Sequence, residues 1–324
     1  MISGTSINEI WLVRESALGD VVLCEPVLAQ LATRHPQAHL TLVTRANYHP
    51  LFRGLPYTLA TPEAARHQPP PDLCIDLQNR LRTRLLAQRA PSHRHWRKRR
   101  GLDLLRTWGG RPLHRGYRSG PHQLERLAQA LDLPPLRPPQ LPLLAEAHQA
   151  AARLATGPYV VVVPGAAHEE KRWPIEYFHT LSRHLADQGL AVVAVGGPGE
   201  GPLLEAATRH IGTAVPVDVP LDTVAAVLAG AQVVVGGDTG LLHVAAAVGA
   251  PVVVLFGPTP PGRWGPPPGR GLVVARDLPC APCSDHGRRP CPLGTRACLQ
   301  TISVQVVADA VETIRRSART FRPY

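Results

Sequence analysis

No apolar run in this chain of 324 residues reaches the roughly 20 residues that a membrane-spanning helix requires, which sets aside an integral helical membrane protein. The opening stretch "MISGTSINEIWLVRES" lacks a basic region followed by a long apolar core, so no secretory leader is expected. A cytoplasmic location follows as the expectation, and disulfides are not expected among the six cysteines. No short-period repeat is visible. Acids are scarce in one place above all: between Arg80 and Arg118 thirteen Lys or Arg face a single acid, Asp103. The net charge of +11 is therefore a local feature, and the rest of the chain is close to neutral.

What is present is a globular composition, with 44% apolar residues in short, recurrent Val, Leu and Ala runs. The length suits two domains of ordinary size. Short apolar runs alternate with longer amphipathic stretches, which argues for parallel sheets with crossover helices. Strands are expected at Ile10–Val13, Leu40–Thr44 and Leu73–Asp76, with helices near Val21–Thr33 and Leu81–Gln88. A second series begins at Tyr159–Val163 and continues with Ala191–Val195, Val233–Val235 and Val252–Phe256. Helices are expected there near Ile175–Asp187, Pro202–His210, Thr223–Ala229 and Leu241–Val248. The proline-rich "LPPLRPPQLPLL" (Leu133–Leu144) reads as an extended linker, because proline donates no ladder bond and disfavours helix before it. The expected division is residues 1–150, residues 151–303 and a last helix in 304–324 that packs back on the first domain.

Doubly wound domains bind ligands beyond the carboxyl ends of their strands, so the strand exits are where chemistry is sought. "GGDTGLLHVAAA" (Gly236–Ala247) is such an exit. Asp238 or Thr239 there is an N-cap, or else the amides of Gly240 and Leu241 and the helix dipole receive a phosphate. In "RESALGDVVLCEPVL", Asp20 stands where a helix begins, as a cap or as a general base. In "VVVPGAAHEEKRWPIEYF", Lys171 and Arg172 follow a strand end, where a cation binds phosphate or is simply solvated. Glu200, in "VGGPGE", bonds ribose hydroxyls or caps a helix. Cys280, Cys283, Cys291 and Cys298 lie in one loop. The first pair has zinc-ligand spacing, the last two are looser than usual, and reduced thiols are the alternative.

The basic segment is densest in "HRHWRKRR" (His93–Arg100). It suits nucleic acid, anionic lipid or a phosphorylated substrate, or is a solvated loop. One aromatic, Trp96, interrupts that stretch and no nucleic-acid fold signature accompanies it, so nucleic acid is not the expected partner.

Taken in order, "RESALGDVVLCEPVL", "DLCIDLQNRLRTRLL", "PGAAHEEKRWPIEYF", "GGDTGLLHVAAAVGAPVVVLFGPTPPGRWGPP" and "CLQTISVQVV" resemble glycosyltransferase family 9, the heptosyltransferases of lipopolysaccharide core assembly. The resemblance runs from about Ile10 to Val307. It implies an α/β protein of the GT-B class, two doubly wound parallel-sheet domains facing across a cleft, acceptor-binding first and nucleotide-sugar-binding second. It implies an inverting transfer of heptose from ADP-heptose to a sugar hydroxyl of a phosphorylated glycolipid at the inner membrane surface. No metal and no cofactor take part, since the ADP-sugar is a substrate. Asp20 matches the family's catalytic base, and Lys171 its diphosphate-binding lysine. Asp238, Thr239, Gly240, Leu241 and His243 match the donor-binding turn, and Glu200 falls near the ribose-binding acid. Ala166 and Ala167 depart from members that carry hydroxyl residues ahead of the lysine. Two readings outside this class remain open: a nucleotide-binding module without turnover, and a nucleic-acid-associated protein using the 80–118 block.

Overall fold

The all-buried pattern of Tyr159–Val163 and Val252–Phe256 is what a parallel strand covered by helices on both faces demands, and both form strands. In the computed structural model, residues 7–95, 120–267 and 269–318 are described. They divide into two compact units, residues 7–95 with Leu124–Pro142, and residues 120–123 with the described residues from Leu143 onward.

The first unit holds five parallel strands, β1 (Glu9–Val13), β2 (His39–Val43), β3 (Thr58–Ala60), β4 (Leu73–Asp76) and β5 (Ser92–His95). Their order is β3-β2-β1-β4-β5. The chain builds outward from β1 to one edge and then from β4 to the other, so the β1/β4 pair is the switch point of the sheet. Trp11, Val13, Val43 and Cys74 lie in the core on one side. The single helix expected at Val21–Thr33 is two, Leu18–Val22 and Glu25–Arg34, with Pro26 in the first turn of the second.

The proline-rich segment is extended as expected, but it is fastened down. Arg137 grips the buried Glu25 with Nη1 and Nη2 at 2.9 and 2.5 Å, and the Gln140 amide donates to the same carboxylate at 2.9 Å. Leu141 is buried nearby. The segment up to Pro142 therefore belongs to the first unit, short of the expected boundary at 150.

The second unit holds six parallel strands, β6 (Tyr159–Val163), β7 (Ala191–Ala194), β8 (Thr213–Ala214), β9 (Val233–Gly237), β10 (Val252–Phe256) and β11 (Gly271–Ala275). The order is β11-β10-β9-β6-β7-β8, which puts the switch point between β6 and β9. The expectation that the terminal helix packs on the first domain is corrected here. Val304–Ala318 lays Val307, Ala308 and Val311 into the core of the second sheet, with Ile314 against it. The spacing of these residues makes one apolar stripe. The Trp173 indole donates to the Ile302 carbonyl at 3.0 Å, so the helix sets out already anchored on the second unit. Residues 319–324 of the expected element lie outside the described residues, as do residues 96–119 of the basic block. Among the described residues no helix is long and apolar enough to cross a membrane.

Candidate active site

Each sheet carries a carboxylate and a cation at its switch point. In the first unit, β1 ends at Val13 and Arg14 follows, its amide donating to the Val43 carbonyl at 3.0 Å. The Arg14 guanidinium reaches across to the exit of β4, donating from Nη1 to the Leu77 carbonyl at 2.5 Å. Its Nη2 pairs with Asp20 Oδ2. Asp20 lies in the first turn of Leu18–Val22, whose N-cap position is taken by Ala17. The capping alternative for Asp20 therefore fails, and the carboxylate is held by a strand-end arginine. The two side chains are 11% and 16% exposed, which keeps both within reach of a ligand. Gln78 Oε1 accepts from the Glu15 and Ser16 amides at 3.2 Å each and fixes the loop between them.

In the second unit, Lys171 ends a short turn, Glu169–Lys171, after the exit of β6. Its Nζ lies 2.8 Å from Asp238 Oδ2, just beyond β9. The pair is 14% and 7% exposed. A charge-assisted bond so little hydrated is stronger than a surface pair and more costly to break from one side. His243 Nε2 lies 4.0 Å from Asp238 Oδ1. Thr239 holds the N-cap position of Gly240–Ala247, but its side chain makes no capping bond. The first backbone bond there, Leu242 N–H to Thr239 O at 3.1 Å, lies beyond the amides of Gly240 and Leu241. Asp238 thus serves the lysine rather than the helix terminus.

Arg172, grouped with Lys171 in the sequence, separates from it. Its Nε and Nη2 clamp the Ala166 carbonyl at 3.0 and 2.8 Å, bracing the loop where hydroxyl residues are missing. The surroundings are nonetheless positive: burial first, then the charges of Lys171, Arg288 and Arg172, hold the His168 imidazole below its usual pKa. Glu200 precedes Gly201–Thr208 without capping it through its side chain. It accepts the Gly197 amide at 2.8 Å, and its carboxylate lies so close to Gly165 that a Cβ there would meet it at 2.2 Å. Glu200 therefore stands beside the exit of β6, adjoining the same switch point.

The structure thus brings Lys171, Asp238, Thr239, Gly240, Leu241 and His243 together, with Glu200 at the neighbouring exit, while Asp20 occupies the corresponding place in the other unit. Two contributors escaped the sequence. One is Arg14, whose signal was a charged residue directly after a buried strand. The other is Gly287, which has φ +71° and lies against the lysine stem, a Cβ there falling 2.5 Å from Lys171 Cγ and Cδ. The four loop cysteines are free thiols, and among the described residues no three His, Cys, Asp or Glu are grouped to hold a metal ion. Burial, then Cys283, Cys280 and Cys291, push the Cys298 thiol up to about 11.

Two parallel-sheet units with polar clusters at both switch points define a doubly wound α/β protein built to hold ligands at its strand ends. Residues 70–292 match the family model for glycosyltransferase family 9 (heptosyltransferase). The chain is 31% identical over 317 residues to lipopolysaccharide heptosyltransferase 1 of Pseudomonas aeruginosa, with 85% of each covered. Among solved structures it is similar to Escherichia coli ADP-heptose lipopolysaccharide heptosyltransferase II, at TM-score 0.77 and 22% identity, covering 96% of this chain and 99% of that one. It is also similar to an Escherichia coli heptosyltransferase solved with ADP, at TM-score 0.62 and 21% identity, covering 94% and 99%. The chain belongs to glycosyltransferase family 9. It is a glycosyltransferase of the GT-B fold class.

Proposed function

We propose that the enzyme moves a heptose from ADP-heptose to a sugar hydroxyl of a lipopolysaccharide core or related phosphorylated glycolipid, with inversion. The observation that carries this reading is the Lys171–Asp238 pair at the β6/β9 switch point, set beside the amide end of Gly240–Ala247. The relatives named for lipopolysaccharide heptose transfer, and the ADP in one similar structure, support the choice of donor.

In this reading the acceptor hydroxyl attacks the anomeric carbon while Asp20 takes its proton, and the bond to the diphosphate breaks on the opposite face. Arg14 orients the Asp20 carboxylate for that transfer. Negative charge builds on the departing ADP, where Lys171 and the amides of Gly240 and Leu241 stabilise it. These groups are preorganised, and they do the work for which other enzymes recruit a divalent cation. Asp238 keeps the ammonium in place, His243 adds a donor at the same turn, and Glu200 receives ribose hydroxyls.

The test is Asp20→Asn with purified acceptor and ADP-heptose. Turnover falls about 10²- to 10⁴-fold, the ordinary worth of a general base, while ADP affinity stays within twofold. Unchanged turnover removes Asp20 from the mechanism. A rate that a chelator abolishes and magnesium restores overturns the metal-independent part.

A further inference from the structure

The helix Leu81–Ala87 of the first unit presents apolar side chains on both faces. Inward it buries Thr83, Leu86 and Ala87. Outward it carries Leu81 and Leu85, 77% and 58% exposed. Residues four apart share one stripe of a helix, so the two leucines stand side by side. Around them Arg80, Arg82, Arg84 and Arg89 are exposed.

Among the described residues, Arg84 and Arg89 meet neutral acceptors alone. Arg84 Nε donates to Asn79 Oδ1 at 2.6 Å, and Arg89 donates to the carbonyls of Ala65, Arg66 and Gln68 at 2.7–3.0 Å, all neutral acceptors. Arg82 is matched by the buried Glu15 at 2.6 Å and also feels Glu63. The neighbouring helix Pro62–His67 packs against this one and adds the exposed Arg66.

An apolar centre with a cationic rim fits an anionic lipid layer, whose phosphates meet the arginines while the leucines enter the acyl boundary. A nucleic acid would take up the arginines and leave both leucines in water. A second copy of this face would set like charges against each other. The helix also follows β4, at the end of the sheet where Arg14 holds Asp20, and Arg82 pairs with Glu15, the residue after Arg14.

We propose that the outer face of Leu81–Ala87 docks on an anionic lipid surface, with Leu81 and Leu85 below the headgroup phosphates and Arg80 and Arg84 among them. A lipid-anchored acceptor then meets Asp20 from the bilayer side. This rests on the acceptor role of Asp20 given above.

The experiment is cosedimentation of the full chain with vesicles of phosphatidylcholine alone and of phosphatidylcholine with phosphatidylglycerol. The wild type partitions onto the anionic vesicles. L81S/L85S loosens that partition by about tenfold or more, and R80Q/R84Q by about tenfold with a shallower salt dependence. A variant with Arg97, Lys98, Arg99 and Arg100 changed to Gln keeps the leucine dependence. Cooperative thermal unfolding followed by circular dichroism shows that each preparation is folded, and calorimetric ADP titration reads the donor site separately. Absence of the wild type from anionic vesicles overturns the proposal, as does undiminished binding by L81S/L85S. So does tighter binding to a short duplex RNA, or a monomer–dimer shift that L81S/L85S abolishes. Vesicle binding without ADP binding in the wild type would instead defeat the proposed function and leave the lipid surface standing.

Discussion

Gly287 carries no side chain of its own, yet replacing it by alanine perturbs the site in a calculable way. The new Cβ would fall 2.5 Å from both Cγ and Cδ of Lys171, against ordinary carbon contacts of about 3.5 Å, so the stem must retreat by about 1 Å. Carried to the ammonium, that displacement stretches the 2.8 Å bond to Asp238 to roughly 3.8 Å, beyond hydrogen-bond range. The φ of +71° adds left-handed strain worth about 1–2 kcal/mol for a residue with a side chain. Losing a bond between charged groups adds about 1.5–3 kcal/mol, so Gly287→Ala destabilises by about 2.5–5 kcal/mol in all. If the displaced ammonium gives up a comparable share of its grip on diphosphate, ADP binds about 10- to 100-fold more weakly by calorimetry. The deciding arm is the double variant. Because the glycine acts through the lysine, Lys171→Ala/Gly287→Ala binds ADP no worse than Lys171→Ala alone. An equal loss in both backgrounds would show that Gly287 does not act through Lys171.

Val311→Ala removes methyl groups from the stripe that the terminal helix buries in the second unit, and it lowers stability by about 2 kcal/mol in urea unfolding. A value near zero would show that Val311 is not packed in the core of the second unit. Glu25→Gln leaves the Arg137 guanidinium facing a neutral amide and costs about 2–4 kcal/mol, read as a lower midpoint of thermal unfolding; an unchanged midpoint would show that the proline-rich segment is not held by that pair. At neutral pH Cys298, pushed up to about 11, is alkylated far more slowly than Cys291. Burial raises the Cys291 pKa, but the amides of Arg296, Leu293 and Thr295 outweigh it and hold the thiol below its usual value. Thiolate is the reacting form, so labelling of Cys298 climbs about tenfold per pH unit towards pH 11. Peptide mass spectrometry showing equal rates at neutral pH would contradict this.

The strands buried on both faces were the most legible part of the fold. Leu73–Asp76, Tyr159–Val163 and Val252–Phe256 form over the expected residues, because their side chains have only one phase: inside. The strands missed are short or lie at an edge. Thr58–Ala60, Ser92–His95, Thr213–Ala214 and Gly271–Ala275 close the four sheet edges and hold at most one buried residue each, and nothing in "SHRH" announces a strand. Segment ownership was harder still. The stripe on Val304–Ala318 declares that the helix is buried, but not on which sheet; that choice is made by Trp173 and Ile302, 129 positions apart in the chain. At the site, the motifs around Lys171 and Asp238 indicated the pieces and not the bond between them. A lysine and an aspartate 67 positions apart become partners only because β6 and β9 are neighbours. Gly287 gave no signal at all, since its meaning lies in another residue's side chain.

The role of Lys171 as the diphosphate-binding group of an ADP-sugar enzyme is read by calorimetric titration of the purified wild type and Lys171→Ala with ADP, UDP, GDP and a short RNA, without added metal. Binding is expected to be selective for ADP and weakened at least about tenfold by Lys171→Ala. Preference for UDP or GDP would keep the fold and overturn the donor. RNA binding with no nucleotide binding would rule out an ADP-sugar donor site at Lys171 and Asp238.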